Sequence, residues 1–451
     1  MHWNQIKTNT LSRRIMKTLR TRIVIIICLL PSIMIGQEIR ELSLQNAIDS
    51  ALQNNYGIIV QEINTDIAET QNSWGNAGAL PSISFVGAGS ENWGYNEADN
   101  NQTTSYSGTV DLNWTIFRGF SARISKERFD ELENLSEGAL NVIVENTLIA
   151  VMYNYYQALL SREYIRIGEE LVALSQDRYS YEEEKANLGA STTYDLLQAK
   201  NAYLEDQSSL LSAEAAYRLA IRQMNYYMGV DLDREYELTE AFESTEETYE
   251  LVALEERMLG NNFTLQNQYL NLKMAQLDVR QAKSGYYPTL SVGASGGYSN
   301  TDTQYDVNTA LNSSMSGFST GVSVALSYTI YNGGVRKQGL QVARMQEEIA
   351  AVQTKDMEQE LRMTLRQEMD TYEVRQKQRM LAEENLAAAE LNLELSRERY
   401  QNGTINSFNF RDVQQIYMNA AVNYQNAIFS VIESYNAILR LTGGIIDEFK
   451  S

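Results

Sequence analysis

Val110-Asp111-Leu112-Asn113-Trp114-Thr115-Ile116-Phe117-Arg118-Gly119 alternates apolar and polar side chains and then stops at a glycine. A period of two places Val110, Leu112, Trp114 and Ile116 on one face of an extended strand. The pattern returns 214 residues later, where Val324, Leu326, Tyr328 and Ile330 hold the corresponding places and Tyr331-Asn332-Gly333 closes the run. Ahead of each lies a first strand, begun by Ile83 and Phe85 in one copy and by Leu290 and Val292 in the other, with Pro81 and Pro288 just upstream. Proline has no amide donor and drives the residue before it out of helical geometry, so each proline marks a change from helix to strand. The expected units are β-hairpins over residues 82–117 and 289–331, with polar loops over about 92–104 and 299–316.

Almost everything outside the hairpins reads as helix. The chain of 451 residues has three prolines, against ~5% in globular proteins, so it has few loops and very long elements. Leu140, Val144, Leu148, Val151, Tyr155 and Ala158 recur every three or four residues, which predicts a helix over about 121–187 some ~100 Å long. Its counterpart covers about 335–401, and return helices cover 190–228 and 405–442. The glycines that end these helices, Gly189 with Gly403 and Gly229 with Gly443, keep the 214-residue offset. Upstream of the hairpins the offset is 207, carried by Asn54-Asn55-Tyr56 and Asn261-Asn262-Phe263 as well as by the prolines. The difference of seven residues therefore lies within the hairpins.

Two repeats result, 37–229 and 258–443. Each supplies one continuous rod and one made of two halves; in the first copy the halves are about 42–79 and 190–228, each ~57 Å long. Between the copies, Val230 to Arg257 carries eleven acidic and two basic residues. It reads as a small collar around the middle of the rods, joined by the tail 444–451, with a disordered linker as the alternative.

The first 36 residues read as a secretory signal peptide: Lys17, Arg20 and Arg22, an apolar run from Ile23 to Leu30, and a cleavage point near Gly36-Gln37. The only cysteine, Cys28, follows Ile27 where a lipoprotein signal has a small residue. Loss of the segment removes Cys28 and the only histidine, His2, so thiol, disulfide and histidine chemistry are excluded. It also removes six Lys or Arg and no acid, taking the formal charge from −21 to −27. Such a chain repels nucleic acid. No phosphate loop, metal-ligand cluster or nucleophile constellation stands in the remainder, which points away from an enzyme, a cofactor or a metal. No later stretch reads as a membrane-spanning helix.

The strand patterns are close to the ~9–11 residues of a tilted strand crossing a membrane. Four strands do not close a barrel, and free edges in lipid cost several kcal/mol per backbone group, so closure calls for several copies of the chain. On the residues alone two other architectures stay open: a soluble sheet packed on itself, and a secreted coiled-coil rod without a conduit. The rod predicts unbroken helical periodicity and leaves the hairpins unexplained.

The order of signal peptide, paired repeats with a proline before each hairpin, exits Phe117-Arg118-Gly119 and Tyr331-Asn332-Gly333-Gly334, and the turn Arg399-Tyr400-Gln401-Asn402-Gly403 resembles the TolC family of outer-membrane factors. The resemblance covers nearly the whole chain after the signal peptide. It implies a mainly α fold with β: a homotrimer whose twelve strands form a transmembrane β-barrel in outer-membrane lipid, above a trimeric α-barrel tunnel through the periplasm of a Gram-negative bacterium. It implies a passive exit duct for an efflux pump or a type I secretion system, served by a periplasmic adaptor and an inner-membrane transporter of RND or ABC type. It implies a closed periplasmic tip at the turns 185–195 and 399–412, with Tyr400 in the gate. Of the two acidic places that line the narrowest point in the family, this chain has Asn409 and Asp412, and Asp195 is the first-copy equivalent of Asn409. Ile405 stands where the family has an arginine, which departs from the usual salt-linked lock. Leu188, Gly189, Gly403 and Thr404 stand where the adaptor would touch; as helix stops the two glycines need no adaptor.

Overall fold

The computed structural model describes residues 40–95, 97, 99–244 and 249–448. The signal peptide with Cys28 and His2 lies outside them, as do 245–248 of the acidic segment and the last three residues. Strand β1 (Arg40–Leu42) is followed by helices α1 (Leu44–Asn54) and α2 (Tyr56–Gln71), strands β2 (Ser82–Gly94) and β3 (Asn101–Arg118), and helices α3 (Ser121–Asn187) and α4 (Thr193–Met228). After β4 (Tyr236–Leu238) the order repeats as α5 (Leu251–Asn261), α6 (Phe263–Ser284), β5 (Thr289–Tyr305), β6 (Ser313–Ser327), α7 (Val335–Gln401) and α8 (Ser407–Leu441). A short helix α9 (Ile445–Glu448) follows. Both long helices, α3 and α7, have 67 residues.

The run from Leu42 to Ala79, read from sequence as one helix, divides at Asn55. The Asn55 backbone is extended, and its side chain accepts from the amides of Gly57 and Ile58, which caps α2. Asn262 does the same for α6, accepting from the Leu265 amide. The second asparagine of each Asn-Asn-aromatic triplet is therefore a helix break. It is also a joint: Asn55 Nδ2 donates to the Tyr227 carbonyl at 2.7 Å, and Asn262 Nδ2 to the Leu441 carbonyl at 3.1 Å. The end of α4 thus abuts the start of α2, and the end of α8 abuts the start of α6. Glycine is required at both meeting points. A Cβ on Gly229 would lie 2.3 Å from the Asn54 carbonyl oxygen, and one on Gly443 would lie 2.5 Å from that of Asn261. Helix α2 ends at Gln71, short of Ala79, because Asn72 turns to α3 and donates to Asp130 at 2.9 Å and Glu133 at 2.5 Å.

The pieces set aside at the joints form the core. Helix α1 packs Ala47, Ile48 and Ala51 against Leu148, Val151 and Tyr155 of α3 and Met224 and Met228 of α4. Strand β1 pairs with β4 of the acidic segment. Tyr236 and Leu238 of that segment, with Ile445 and Ile446 of α9, complete this cluster. The Glu240 carboxylate accepts from the Leu44 amide at 2.8 Å, where the free amides of a helix start favour an anion. In the second copy, Leu254 and Met258 of α5 pack on Leu365 and Tyr372 of α7 and Val431 and Ile438 of α8. Tyr155 and Leu365 lie near the midpoints of their helices, so both clusters pack against the middle of a long helix.

One helix corrects the sequence expectation about membrane spans: an 18-residue window of α3 reaches a mean hydropathy of 1.3 with few charges, long and apolar enough to cross a bilayer. Leu148, Val151, Met152, Tyr155 and Leu159 of this helix pack in the central cluster, and the rest of its apolar stretch is only partly buried.

The sheet is antiparallel throughout, in the order β2-β3-β5-β6. Pairing brings Ile83 opposite Leu112, Trp114 opposite Val292, and Val292 opposite Val324. The alternating residues of all four strands therefore share one face. That face is bare: Phe85 is 72% exposed, Val322 79% and Leu326 71%. The strands continue into the segments read as polar loops, β3 starting at Asn101 and β5 running to Tyr305, because the backbone ladder pairs Thr and Ser as well as Val. At the other end β6 stops at Ser327, three residues before Ile330.

Alanine at Gly229 or Gly443 is expected to cost about 2 kcal/mol or more, joining the left-handed backbone cost of ~1–2 kcal/mol to a collision with backbone. Alanine at Gly189 or Gly403, where a Cβ meets open space, is expected to cost only the backbone part. Urea unfolding followed by helical circular dichroism compares the four; equal losses would refute the joint.

Candidate functional site

The far ends of α3 and α4, and of α7 and α8, are built as matched turns. Each long helix ends in a Schellman motif: Ala190 N donates to Lys185 O at 2.7 Å and Thr404 N to Arg399 O at 2.8 Å. Gly189 and Gly403 supply the positive φ this needs, 73° and 69°. Each return helix then starts at a polar cap. Thr192 accepts from the Asp195 amide and donates to its carboxylate at 2.7 Å, an N-cap, while Asn406 accepts from the Asn409 amide at 2.8 Å. Leu188 is 83% exposed at the outermost point, and Thr404 is exposed beside Gly403.

Behind the turns lies a buried polar cluster. Tyr400, 3% exposed, stacks on Phe410 at 4.7 Å and meets Tyr181 edge-on at 5.1 Å. Its hydroxyl donates to Glu182 at 2.7 Å. Burial, reinforced by that bond, pushes the Tyr400 phenol well above its ordinary range. Glu182 also accepts from Ser191 at 2.5 Å and lies 3.8 Å from Lys185, whose ammonium sits 4.3 Å over the Tyr181 ring. The four groups tie the α3 turn to the end of α7.

A second link passes across α3. Arg411 of α8 donates from both terminal nitrogens to Asp206 of α4 at 2.7 Å each, with the two side chains 12% and 4% exposed. Arg178 of α3 lies beside this pair and donates to the Ser407 carbonyl at 3.2 Å. Its Nε and Nη2 are buried without a partner. Burial, then the neighbouring Arg411 charge, pulls the Arg178 guanidinium down to about 10.

Tyr400 is thus central to the cluster, whereas Asp412 and the Asn409 side chain are exposed on the first turns of α8. Among the described residues no hydrogen bond or ion pair joins Asp412 to Tyr400 or Asp195. Ile405 packs with the apolar cluster around Tyr400, and Arg411 with Asp206 forms an ion pair between α8 and α4 at this end. Pro81 and Pro288 stand at the opposite end, each one residue before its strand. Among the described residues no group of three or more His, Cys, Asp or Glu is placed to hold a metal ion.

This duplicated architecture is matched by the family profile described as "Outer membrane efflux protein", which covers residues 47–230 and 254–444. The chain belongs to the outer membrane efflux protein family. No curated protein sequence matches it. Solved structures with the same fold include the Campylobacter jejuni CmeC outer membrane channel, 17% identical with a TM-score of 0.73, covering 89% of this chain and 85% of that one. The outer membrane protein VceC of Vibrio cholerae is 14% identical with a TM-score of 0.73, at 89% and 96% coverage. The open state of the Neisseria gonorrhoeae MtrE outer membrane channel is 14% identical with a TM-score of 0.70, at 89% coverage of both chains. This efflux protein is accordingly an outer-membrane channel of a Gram-negative bacterium that extends into the periplasm and serves as the exit of a tripartite pump. It is a conduit and not an enzyme, and the secreted rod finds no support.

Sequence reasoning named Tyr400 and both glycines of this efflux protein as site residues and did not name Glu182, Arg178, Asp206 or Arg411, which the structure packs beside them. The signal was present in the repeat itself. At the 214-residue offset Arg178 faces Asn392, Asp206 faces Ala420 and Arg411 faces Leu197, so each charge is confined to one copy.

Asp206→Asn leaves Arg411 and Arg178 side by side without their carboxylate and is expected to cost about 3 kcal/mol. Glu214→Gln, which breaks a pair with Arg218 that is 40% and 58% exposed, is expected to cost under ~0.5 kcal/mol. Thermal unfolding of the two variants checks the ranking.

Proposed function

We propose that three copies of this chain assemble into one channel, and that its helix tips form the periplasmic gate. The observation that carries the assembly is the sheet: four antiparallel strands with free edges on β2 and β6 and an uncovered apolar face. In lipid each unpaired backbone group costs several kcal/mol, so the edges must meet other strands. Three such sheets joined β6 to β2 give twelve strands. From Phe318 to Leu326 the apolar face rises ~27 Å at ~3.4 Å per residue, close to the ~25 Å apolar band of an outer-membrane barrel. The helices then continue as a tunnel, with Pro81 and Pro288 on the level where it meets the barrel.

At the far end, the Tyr400–Glu182 bond and the Arg411–Asp206 pair hold the tip closed. Threefold repetition brings the exposed carboxylates of Asp412 into a ring that favours cations, with Asn409 beside it and Asp195 held by the Thr192 hydroxyl. The exposed turns at Leu188, Gly189, Gly403 and Thr404 offer a periplasmic adaptor the outermost contact, and that adaptor couples the duct to an RND or ABC transporter.

Purified in detergent, the protein is expected to have the mass of a trimer by light scattering and to conduct in planar bilayers. A monomer without conductance would overturn the assembly. Tyr400→Phe keeps the ring stack and deletes the hydroxyl bond, whose loss at ~1.5–3 kcal/mol is expected to shift the closed-to-open ratio about tenfold or more toward open. Asp412→Ala is expected to weaken cation selectivity and relieve block by multivalent cations; an unchanged reversal potential removes Asp412 from the gate.

A further inference from the structure

The end of the sheet nearest the helices carries an aromatic cluster that the packing of the chain leaves open. Phe117 pairs with Leu290 across β3 and β5, which sets it on the apolar face. Phe120 meets the Phe117 ring edge-on at 5.2 Å, and Tyr287 meets Phe120 at 5.9 Å. Phe120 holds a left-handed backbone with φ 67°, alone among the described residues other than glycine. At the 214-residue offset Gly334 takes its place, with φ 86°. A side chain there strains the backbone, yet the Phe120 ring is 58% exposed and Tyr287 51%. A ring held outward at a cost to folding points to contact beyond the chain. Strands β3 and β5 are the inner pair of the sheet, so strand pairing between copies at β2 and β6 leaves the cluster uncovered.

Charge changes sign at the same level. The stretches that join helices to strands are 75–81, 118–124, 282–288 and 328–340. They hold Arg118, Arg123, Lys283, Arg336 and Lys337 and no acid, in a chain with 58 acidic residues to 37 basic. Arg118 lies opposite Thr289 and so on the other face. Arg123 is 75% exposed, with Glu127 at 3.5 Å. Arg336 donates to the carbonyls of Gly285 at 3.0 Å, Thr329 and Ile330 and lies 5.4 Å over the Tyr286 ring. Lys283 and Lys337 are exposed. Among the described residues none of these last three has a carboxylate in ion-pair reach. We propose that this belt binds the phosphate headgroups of anionic phospholipids at the periplasmic face of the outer membrane. The rings enter the acyl boundary and the cations lie at headgroup level. Neutral lipid would serve the rings and leave the cations without a counter-charge. The proposal rests on the membrane placement of the apolar sheet face, with which the belt is continuous.

The test places the purified full-length protein in phosphatidylcholine vesicles containing an equal fraction of dibrominated phosphatidylglycerol or dibrominated phosphatidylcholine. Bromine quenches nearby tryptophan, and Trp114 stands three residues before Phe117 on the same face. Phosphatidylglycerol is expected to bind about fivefold more strongly than phosphatidylcholine, the gain from one cation at an anionic surface. Salt at ~1 M is expected to remove most of that preference. Joint replacement by Arg123→Gln, Lys283→Gln and Lys337→Gln is expected to bring the ratio close to one. Phe120→Trp adds emission that bromine high on the acyl chain is expected to quench more than bromine deep in it. Equal binding of the two lipids by the native protein, a preference that the triple variant keeps, or added emission that neither lipid quenches overturns the proposal. Quenching of Trp114 by the neutral brominated lipid reads the membrane placement separately, and light scattering on the same samples reads the trimer.

Discussion

A glycine set directly against an asparagine carbonyl is the constraint from which the rest of the architecture follows. At Gly229 with Asn54, and at Gly443 with Asn261, any side chain would strike backbone oxygen. Contact that close lets a return helix end on the start of another, so that two short helices stand in for one long one. Asn55 and Asn262 hold the joint by capping one helix while donating to the end of the other. The chain is thereby free to leave the rod at that level, and α1 and α5 turn aside. The central clusters and the β1–β4 pair sit beside these joints.

The two copies are alike in backbone and unlike in charge. The two long helices are equal in length and end in matched Schellman turns, so the two tips share one backbone geometry. The buried tip contacts use residues present in one copy only: Glu182, Arg178 and Asp206 from the first, Tyr400, Phe410 and Arg411 from the second. Duplication supplies the scaffold, and divergence supplies interactions that link the copies across α3. A buried pair such as Arg411 with Asp206 is costly to break from one side, which suits a contact that holds one state firmly until a partner changes it.

Much of the fold was legible because its rules are local. Alternation from Val110 to Ile116, the prolines ahead of Ser82 and Thr289, and glycines at a constant offset report backbone geometry that neighbouring residues enforce. The break at Asn55 was less legible, since the triplet Asn54-Asn55-Tyr56 repeats at Asn261-Asn262-Phe263 yet nothing local says that another helix ends there. The apolar stretch of α3 was misjudged for a similar reason, as its side chains answer to α1 and α4, both distant in sequence. At the tip, Tyr400 was named through resemblance, whereas its partner Glu182, 218 residues away, is brought to it only by the fold.

The sequence alone determined the duplicated order, the long helices, the hairpins and the lack of histidine and cysteine after residue 36, since these depend on periodicity and composition. Only the tertiary structure decided where the helices meet end to end and which charges are buried together. Those properties arise from contacts between segments tens to hundreds of residues apart, and burial is a property of the packed chain that no single segment carries.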